Sequence, residues 1–151
     1  VTIIEPEETP ISVGVLLFIP YRHMEQRILV AVTTGGYDIS LAQARLFQRL
    51  DRNGSRLTDL ARAAQVSKQA AGFLIDDLEA GGYVERVPDP TDRRARLIRI
   101  TPRGRDVVAV ALVEQRRVEA EWEARLGSQR MTDLRHMLEE LKEITDVQSG
   151  E

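Results

Sequence analysis

The chain has 151 residues, 42% of them hydrophobic and 30% charged, with a formal net charge of -3. That size and balance fit one globular domain with a core of its own, and the absence of cysteine excludes disulfides, cysteine-ligated zinc, iron–sulfur clusters and thiol chemistry. The first long apolar run, Ile11 to Ile19, follows three glutamates instead of a basic segment and is too short to span a bilayer, so no signal peptide or membrane contact is expected and a cytoplasmic location is.

Residues 1–10, with Pro6, Pro10 and three glutamates, read as a flexible N-terminal arm. A helix is predicted from about Ser12 to Thr34, kinked or split at Pro20, which lacks the N–H that the Leu16 carbonyl needs; Gly35 and Gly36 end it. Ser40 is an N-cap for a second helix with Ala42, Leu46, Phe47 and Leu50 on its core side, ended by Asn53–Gly54. Thr58 is the expected cap of a short third helix carrying Leu60, Ala61 and Ala64. After a tight link, Ser67 caps a fourth, whose Ala71, Leu74, Ile75 and Leu78 form one buried stripe. Gly81 and Gly82 end that helix. Tyr83–Val87 and Arg96–Ile100 then read as two strands around a Pro88–Asp92 turn, a β-hairpin. Thr101 and Pro102 open a long helix as N-cap and N1, with Val107, Ala111, Val118 and Trp122 at near-heptad spacing. Gly127–Ser128 breaks it, and a last helix from about Gln129 to Asp146 carries Leu134, Met137, Leu138, Leu141 and Ile144.

The order helix, short helix, tight turn, helix, hairpin is that of a winged helix-turn-helix. The fold class is therefore mainly α with a small β-hairpin, a DNA-binding lobe over 37–101 and a helical dimerisation region over 11–36 and 102–147. The helix opening at Ser67 turns its apolar stripe inward and leaves Lys68, Gln69, Gly72, Phe73 and Asp76 outward, the size of element a major groove admits. Ser67, Lys68 and Gln69 sit at its N-terminus, where backbone N–H groups favour phosphate. An acidic chain that gathers Arg86, Arg93, Arg94, Arg96 and Arg99 around a proline-rich turn has built a cationic wing suited to a DNA backbone or minor groove. Asp92, two residues before Arg94, is placed to hold its guanidinium. Glu119, Glu121, Glu123, Glu139, Glu140 and Glu143 lie far along the chain, so the local field matters more than the net charge.

Three stretches carry a family resemblance: DISLAQARLFQRLDRNG, LTDLARAAQVSKQAAGFLIDDLEAGGYVER and DPTDRRARLIRITPRG. They resemble the multiple-antibiotic-resistance regulator (MarR) family of bacterial transcription factors, over about residues 12–147. The resemblance implies a homodimer joined through the first and last two helices, the Ser67 helix as major-groove reader and Arg94 as the minor-groove residue. It also implies a small-ligand crevice between the dimer helices and the DNA-binding lobe. Two departures stand out. Ala70 and Phe73 occupy positions where the family often carries a hydroxyl and an arginine, which leaves base reading to Lys68 and Gln69 with Phe73 touching a thymine methyl; and Pro20 is unusual in the first helix.

The expected function is a dimeric DNA-binding regulator, a repressor of a palindromic operator released by a small aromatic or phenolic anion. Phe18, Tyr21, Arg22 and Tyr37 are the candidate effector pocket, with ordinary core aromatics and a surface arginine as the competing explanation. The alternative from another class is a winged-helix protein-interaction module, motivated by the apolar Ala70–Phe73 face. His136, Glu139 and Glu140 have i, i+3, i+4 spacing that a metal site uses, but a solvated helix face has the same pattern, and no metal or cofactor is expected. No G-x-S-x-G, P-loop, G-x-G-x-x-G or H-E-x-x-H motif is present, so an enzyme is not expected.

Overall fold

A computed structural model describes residues 9–146. The elements are α1 (Val13–Thr34), α2 (Leu41–Phe47), α3 (Leu57–Ala64), α4 (Lys68–Ala80), β1 (Val84–Asp89), β2 (Asp92–Ile100), α5 (Pro102–Leu126) and α6 (Ser128–Thr145). Most of the expected N-terminal arm, residues 1–8, lies outside the described residues, as does the final residue of the expected helical region, 147.

Caps explain most of the helix starts. The Ser12 hydroxyl accepts the Val15 N–H, and Ser40 forms a reciprocal capping box with Gln43. Ser67 accepts from Ala70 N–H at 3.0 Å, and Thr101 accepts from Gly104 N–H at 3.1 Å, with Pro102 in the first turn.

Two expectations are corrected. First, the chain does not split at Pro20, and α1 runs on through it as one helix; the carbonyl that proline leaves without a donor belongs to exposed Leu16, where water can satisfy it. Second, α3 is capped at Arg56, not Thr58. Ser55 bridges to Ile98 through Ser55 N–H to Ile98 O at 3.0 Å and Ile98 N–H to Ser55 O at 2.8 Å. The chain therefore leaves the sheet edge at Ser55 and enters the helix at once.

The core is contained mainly in the lobe. Leu46 of α2, Leu60 of α3, Ile75 and Leu78 of α4, Val84 of β1 and Ile98 of β2 are fully buried together, and Val107 of α5 joins the same cluster. Gln65, at φ 57°, makes the left-handed turn between α3 and α4, a conformation costing a non-glycine residue about 1 kcal/mol; its side-chain amide donates to the Arg62 carbonyl at 2.9 Å. The first turn of α5 sits so close to β1 that a Cβ on Gly104 would overlap the Tyr83 carbonyl oxygen and the Ile100 side chain. Glycine at that position lets α5 dock on the hairpin base.

Outside the lobe, α1 packs on α5 and α5 on α6. Arg27 of α1 ties the first pair together, donating Nε to buried Glu114 at 2.7 Å and Nη1 to Glu121 at 2.9 Å. The N-terminal half of α1 and the whole of α6 carry a row of exposed apolar side chains. Val13, Leu16, Leu17, Phe18 and Ile19 of α1 and Met137, Leu138, Leu141 and Ile144 of α6 are all exposed, Ile144 at 82%, and α6 buries no residue. No helix among the described residues is long and apolar enough to cross a membrane.

Candidate nucleic-acid interface

Helix α4 presents two faces. Ala71, Ile75 and Leu78 point into the core, while Ser67, Lys68, Gln69 and Phe73 are exposed. Half-buried Gly72 lies beside α3, where a Cβ would meet Leu57 Cδ2 at 3.8 Å. Outward-facing Asp76 is already paired, accepting from Arg86 Nη2 at 2.7 Å.

That pair changes the reading of Arg86. Its Nη1 also donates to Glu79 at 2.8 Å, and its backbone N–H donates to the same carboxylate at 3.1 Å. Arg86 thus spends its charge bracing β1 against α4, where sequence reasoning had placed it among the DNA contacts. The two carboxylates raise its pKa against the lowering effect of its partial burial, so it stays cationic.

The wing tip is more tightly built than the sequence suggested. β1 pairs antiparallel with β2 from Val84↔Ile100 to Pro88↔Arg96, and then Asp89 pairs with Asp92. The turn is therefore the two residues Pro90 and Thr91, and both strands extend further than expected. Between the last two pairs, Arg93, Arg94 and Ala95 have no residue opposite them. Pro88, which has no N–H for the ladder, sits at this irregularity. A bulge bends its strand and re-aims its side chains; here it throws out the arginines.

Asp89 anchors the bulge. Its buried carboxylate accepts the Thr91 N–H at 2.8 Å, the Thr91 hydroxyl at 2.7 Å and Arg56 Nε at 2.9 Å. The two Thr91 bonds first, then Arg56, hold its pKa down at about 2. Asp92 accepts the backbone N–H of Arg94 at 3.0 Å, so it fixes the strand instead of the guanidinium, contrary to the sequence expectation. With both acids engaged, Arg93, Arg94 and Arg96 are exposed and have no ion-pair partner among the described residues. The lobe 37–101 carries eleven basic and nine acidic residues, against 21 and 24 in the whole chain, so the negative excess lies elsewhere.

Arg56, Asp89 and Thr91 were missed in the sequence. The P-D-P-T-D run marks a turn, but nothing local says that a residue 33 positions earlier closes it.

The four candidate effector residues do not converge. Arg22 stacks over Phe18 at 5.5 Å on the exposed face of α1, and the Tyr21 hydroxyl accepts from Gln48 Nε2 at 3.4 Å. Tyr37, beyond the Gly35–Gly36 break, packs edge-on against Tyr83, and Arg103 lies over both rings at 5.3 and 4.9 Å. A cavity of about 360 Å³ does lie between α1, α2 and α5, walled by Ile28, Val32, Phe47, Val107 and Ala111, with Arg45 at its polar edge. Arg45 grips Glu25 with two bonds of 2.8 and 2.9 Å, which lowers the glutamate's pKa. None of the four sequence candidates lines this cavity. Among the described residues no His, Asp and Glu cluster is placed to hold a metal.

The sequence pattern of the MarR family matches residues 37–95, the lobe just described. The crystal structure of MarR superposes with a TM-score of 0.70 at 26% identity, covering 88% of this chain and 96% of that one. Residues 37–95 are thus a MarR-family lobe. Another similar structure is the Thermotoga maritima transcriptional regulator Tm0710, with a TM-score of 0.62 at 26% identity over 87% of this chain and 92% of that one. Among curated proteins, the transcriptional activatory protein BadR of Rhodopseudomonas palustris is 39% identical over 94 residues, which are 62% of this chain. The chain spans about half of that relative's length, 53%.

Proposed function

We propose that this MarR-family chain is a homodimeric, DNA-binding transcriptional regulator. It reads an inverted-repeat operator, acts as a repressor where that operator overlaps a promoter, and lets go when a small aromatic or phenolic anion binds. The observation that carries this reading is the wing tip: three exposed arginines without ion-pair partners among the described residues, two on the unopposed bulge and Arg96 beside it, with Asp89 already paired to Arg56 and Asp92 held by a backbone N–H. Nothing in the fold needs those cations; a polyanion does.

In this reading α4 enters the major groove. Its Ser67 end approaches a phosphate, Lys68 and Gln69 meet base edges, and Arg94 reaches the adjacent minor groove, where a planar, weakly hydrated guanidinium is favoured. Arg93 and Arg96 take backbone phosphates, and Asp92 and Arg86 set the wing's pose. Residues 11–36 and 102–147 form the dimerisation region. The apolar side chains left bare on α1 and α6 support it, because a contiguous exposed patch of this kind on a small chain marks an interface.

The cavity between α1, α2 and α5 supports ligand control. It touches helices of both regions, so a molecule that widens it shifts the lobe relative to the dimer helices. Two lobes on one dimer must hold two half-sites in register, and a shift of a few ångströms spoils both. By linkage, a ligand that weakens DNA binding is itself bound less tightly by the DNA complex, by the same factor.

The test is to select duplexes from a randomised pool with the full chain and footprint the winner. Two related half-sites, inverted and about 10–10.5 base pairs apart, are expected. Recovery of no preferred duplex overturns the proposal.

A further inference from the structure

We infer that Phe73 is a sequence-reading residue whose target is the thymine C5-methyl group, so that each half-site is defined partly by a methyl contact. The inference rests on the DNA-binding reading above and adds which chemical group α4 recognises.

Phe73 is 62% exposed, the most exposed large apolar side chain of the lobe, whereas Phe47 is buried in the core at 8%. The position is not a failure of the core pattern. At about 100° per residue, Phe73 lies about 200° around the helix from Ala71 and about 160° from Ile75, both of which are completely buried. It therefore points away from the protein along the axis of the face that Gln69 begins, one turn earlier. Among the described residues no aromatic or cation–π partner takes the ring; Arg86 is turned to Asp76 and Glu79. A bare ring there adds nothing to folding, because its apolar area stays in water.

The major groove offers one apolar feature to such a ring, the methyl at C5 of thymine; every other edge group there is a hydrogen-bond donor or acceptor. Two neighbours fit this use. Gly72, next to the ring, adds no side chain to this face; a Cβ there would rest against Leu57 of α3. Asp76 on the same face is paired with Arg86 at 2.7 Å, which lessens the repulsion that a free acid would bring against the DNA. Gln69 at i−4 offers an amide of the shape that pairs with adenine N6 and N7, so the two side chains together read A·T pairs from both strands.

The experiment uses the full chain and a symmetric duplex recovered from the randomised pool. Deoxyuridine replaces thymidine one position at a time; this removes the methyl and keeps every hydrogen-bonding group. Wild type should lose about four-fold in affinity at one or two thymines of each half-site, the scale of one buried methyl, and about fifteen-fold when both half-sites are changed. Phe73→Ala, with a thermal melt equal to wild type, should bind the thymidine and deoxyuridine duplexes equally. Indifference of wild type to every replacement overturns the inference while leaving the DNA-binding reading intact. So does a Phe73→Ala protein that still discriminates, or one that keeps wild-type affinity; the last would mean that the ring faces something other than DNA. If wild type recovers no duplex, the DNA-binding reading falls first and this inference with it.

Discussion

Replacing Arg94 with alanine should separate DNA affinity from stability. The guanidinium is exposed and has no ion-pair partner among the described residues. What Asp92 holds is the Arg94 backbone N–H, which alanine retains. Unfolding free energy should therefore change by no more than about 0.5 kcal/mol, as at other uncommitted surface sites. One specific arginine contact is worth about 1–3 kcal/mol. A two-fold dimer carries two copies, so binding should weaken by about 2–6 kcal/mol, roughly 30-fold to beyond 10⁴-fold in Kd. Fluorescence anisotropy on the selected duplex reads the affinity, and urea titration the stability. Arg116→Ala, which removes the same charge from an exposed position on α5, is the control and should change Kd by less than a few-fold. If the two variants lose affinity equally, the effect is one of net charge and the wing tip has no special place in recognition.

Three further outcomes are expected. Gly104→Ala should destabilise the fold by about 1–3 kcal/mol in chemical denaturation, because its methyl overlaps the Tyr83 carbonyl oxygen and neither backbone can yield freely; a neutral result would contradict the close docking of α5 on the hairpin. The bonds from Thr91 and Arg56 hold the Asp89 carboxyl down at about 2 in the folded chain, against an ordinary aspartate value of 3.8. Its contribution to stability is thus complete above about pH 4, is lost as pH falls through about 2, and disappears in Asp89→Asn; the Thr91 amide resonance followed by NMR should report that midpoint. Sedimentation of the wild type should give twice 17.0 kDa, and Leu138→Glu, at an exposed α6 position, should shift it toward 17.0 kDa without loss of helix content. A wild-type monomer at micromolar concentration would overturn the dimer.

Local signals made most of the fold legible. Ser12, Ser40, Ser67 and Thr101 announce helix starts because a side-chain oxygen must satisfy the first free N–H groups. Ala71, Leu74, Ile75 and Leu78 recur at helical spacing because one face is buried. What stayed hidden depended on residues distant in sequence. The start of α3 follows from a bridge between Ser55 and Ile98, and the wing tip from an ion pair between Arg56 and Asp89. Arg86 looked like any other arginine of the cluster until α4 brought Asp76 and Glu79 to it. Tyr37 looked like a neighbour of Tyr21, but the Gly35–Gly36 break carries it to Tyr83 and Arg103. The cavity draws its walls from three helices spread between residues 25 and 115, a juxtaposition that no single segment encodes.

The central claim, that the bulged wing is a phosphate- and groove-binding surface, is tested most directly by the salt dependence of binding to the selected duplex. Each phosphate neutralised contributes about -0.9 to the slope of log K against log salt. Substituting Arg93, Arg94 and Arg96 together by alanine removes six cations from a dimer. The slope should become shallower by about 3.6 for the four phosphate contacts of Arg93 and Arg96, and by up to about 5.4 if Arg94 displaces counterions as well, with the melting temperature unchanged. An unchanged slope in the triple variant would contradict the account.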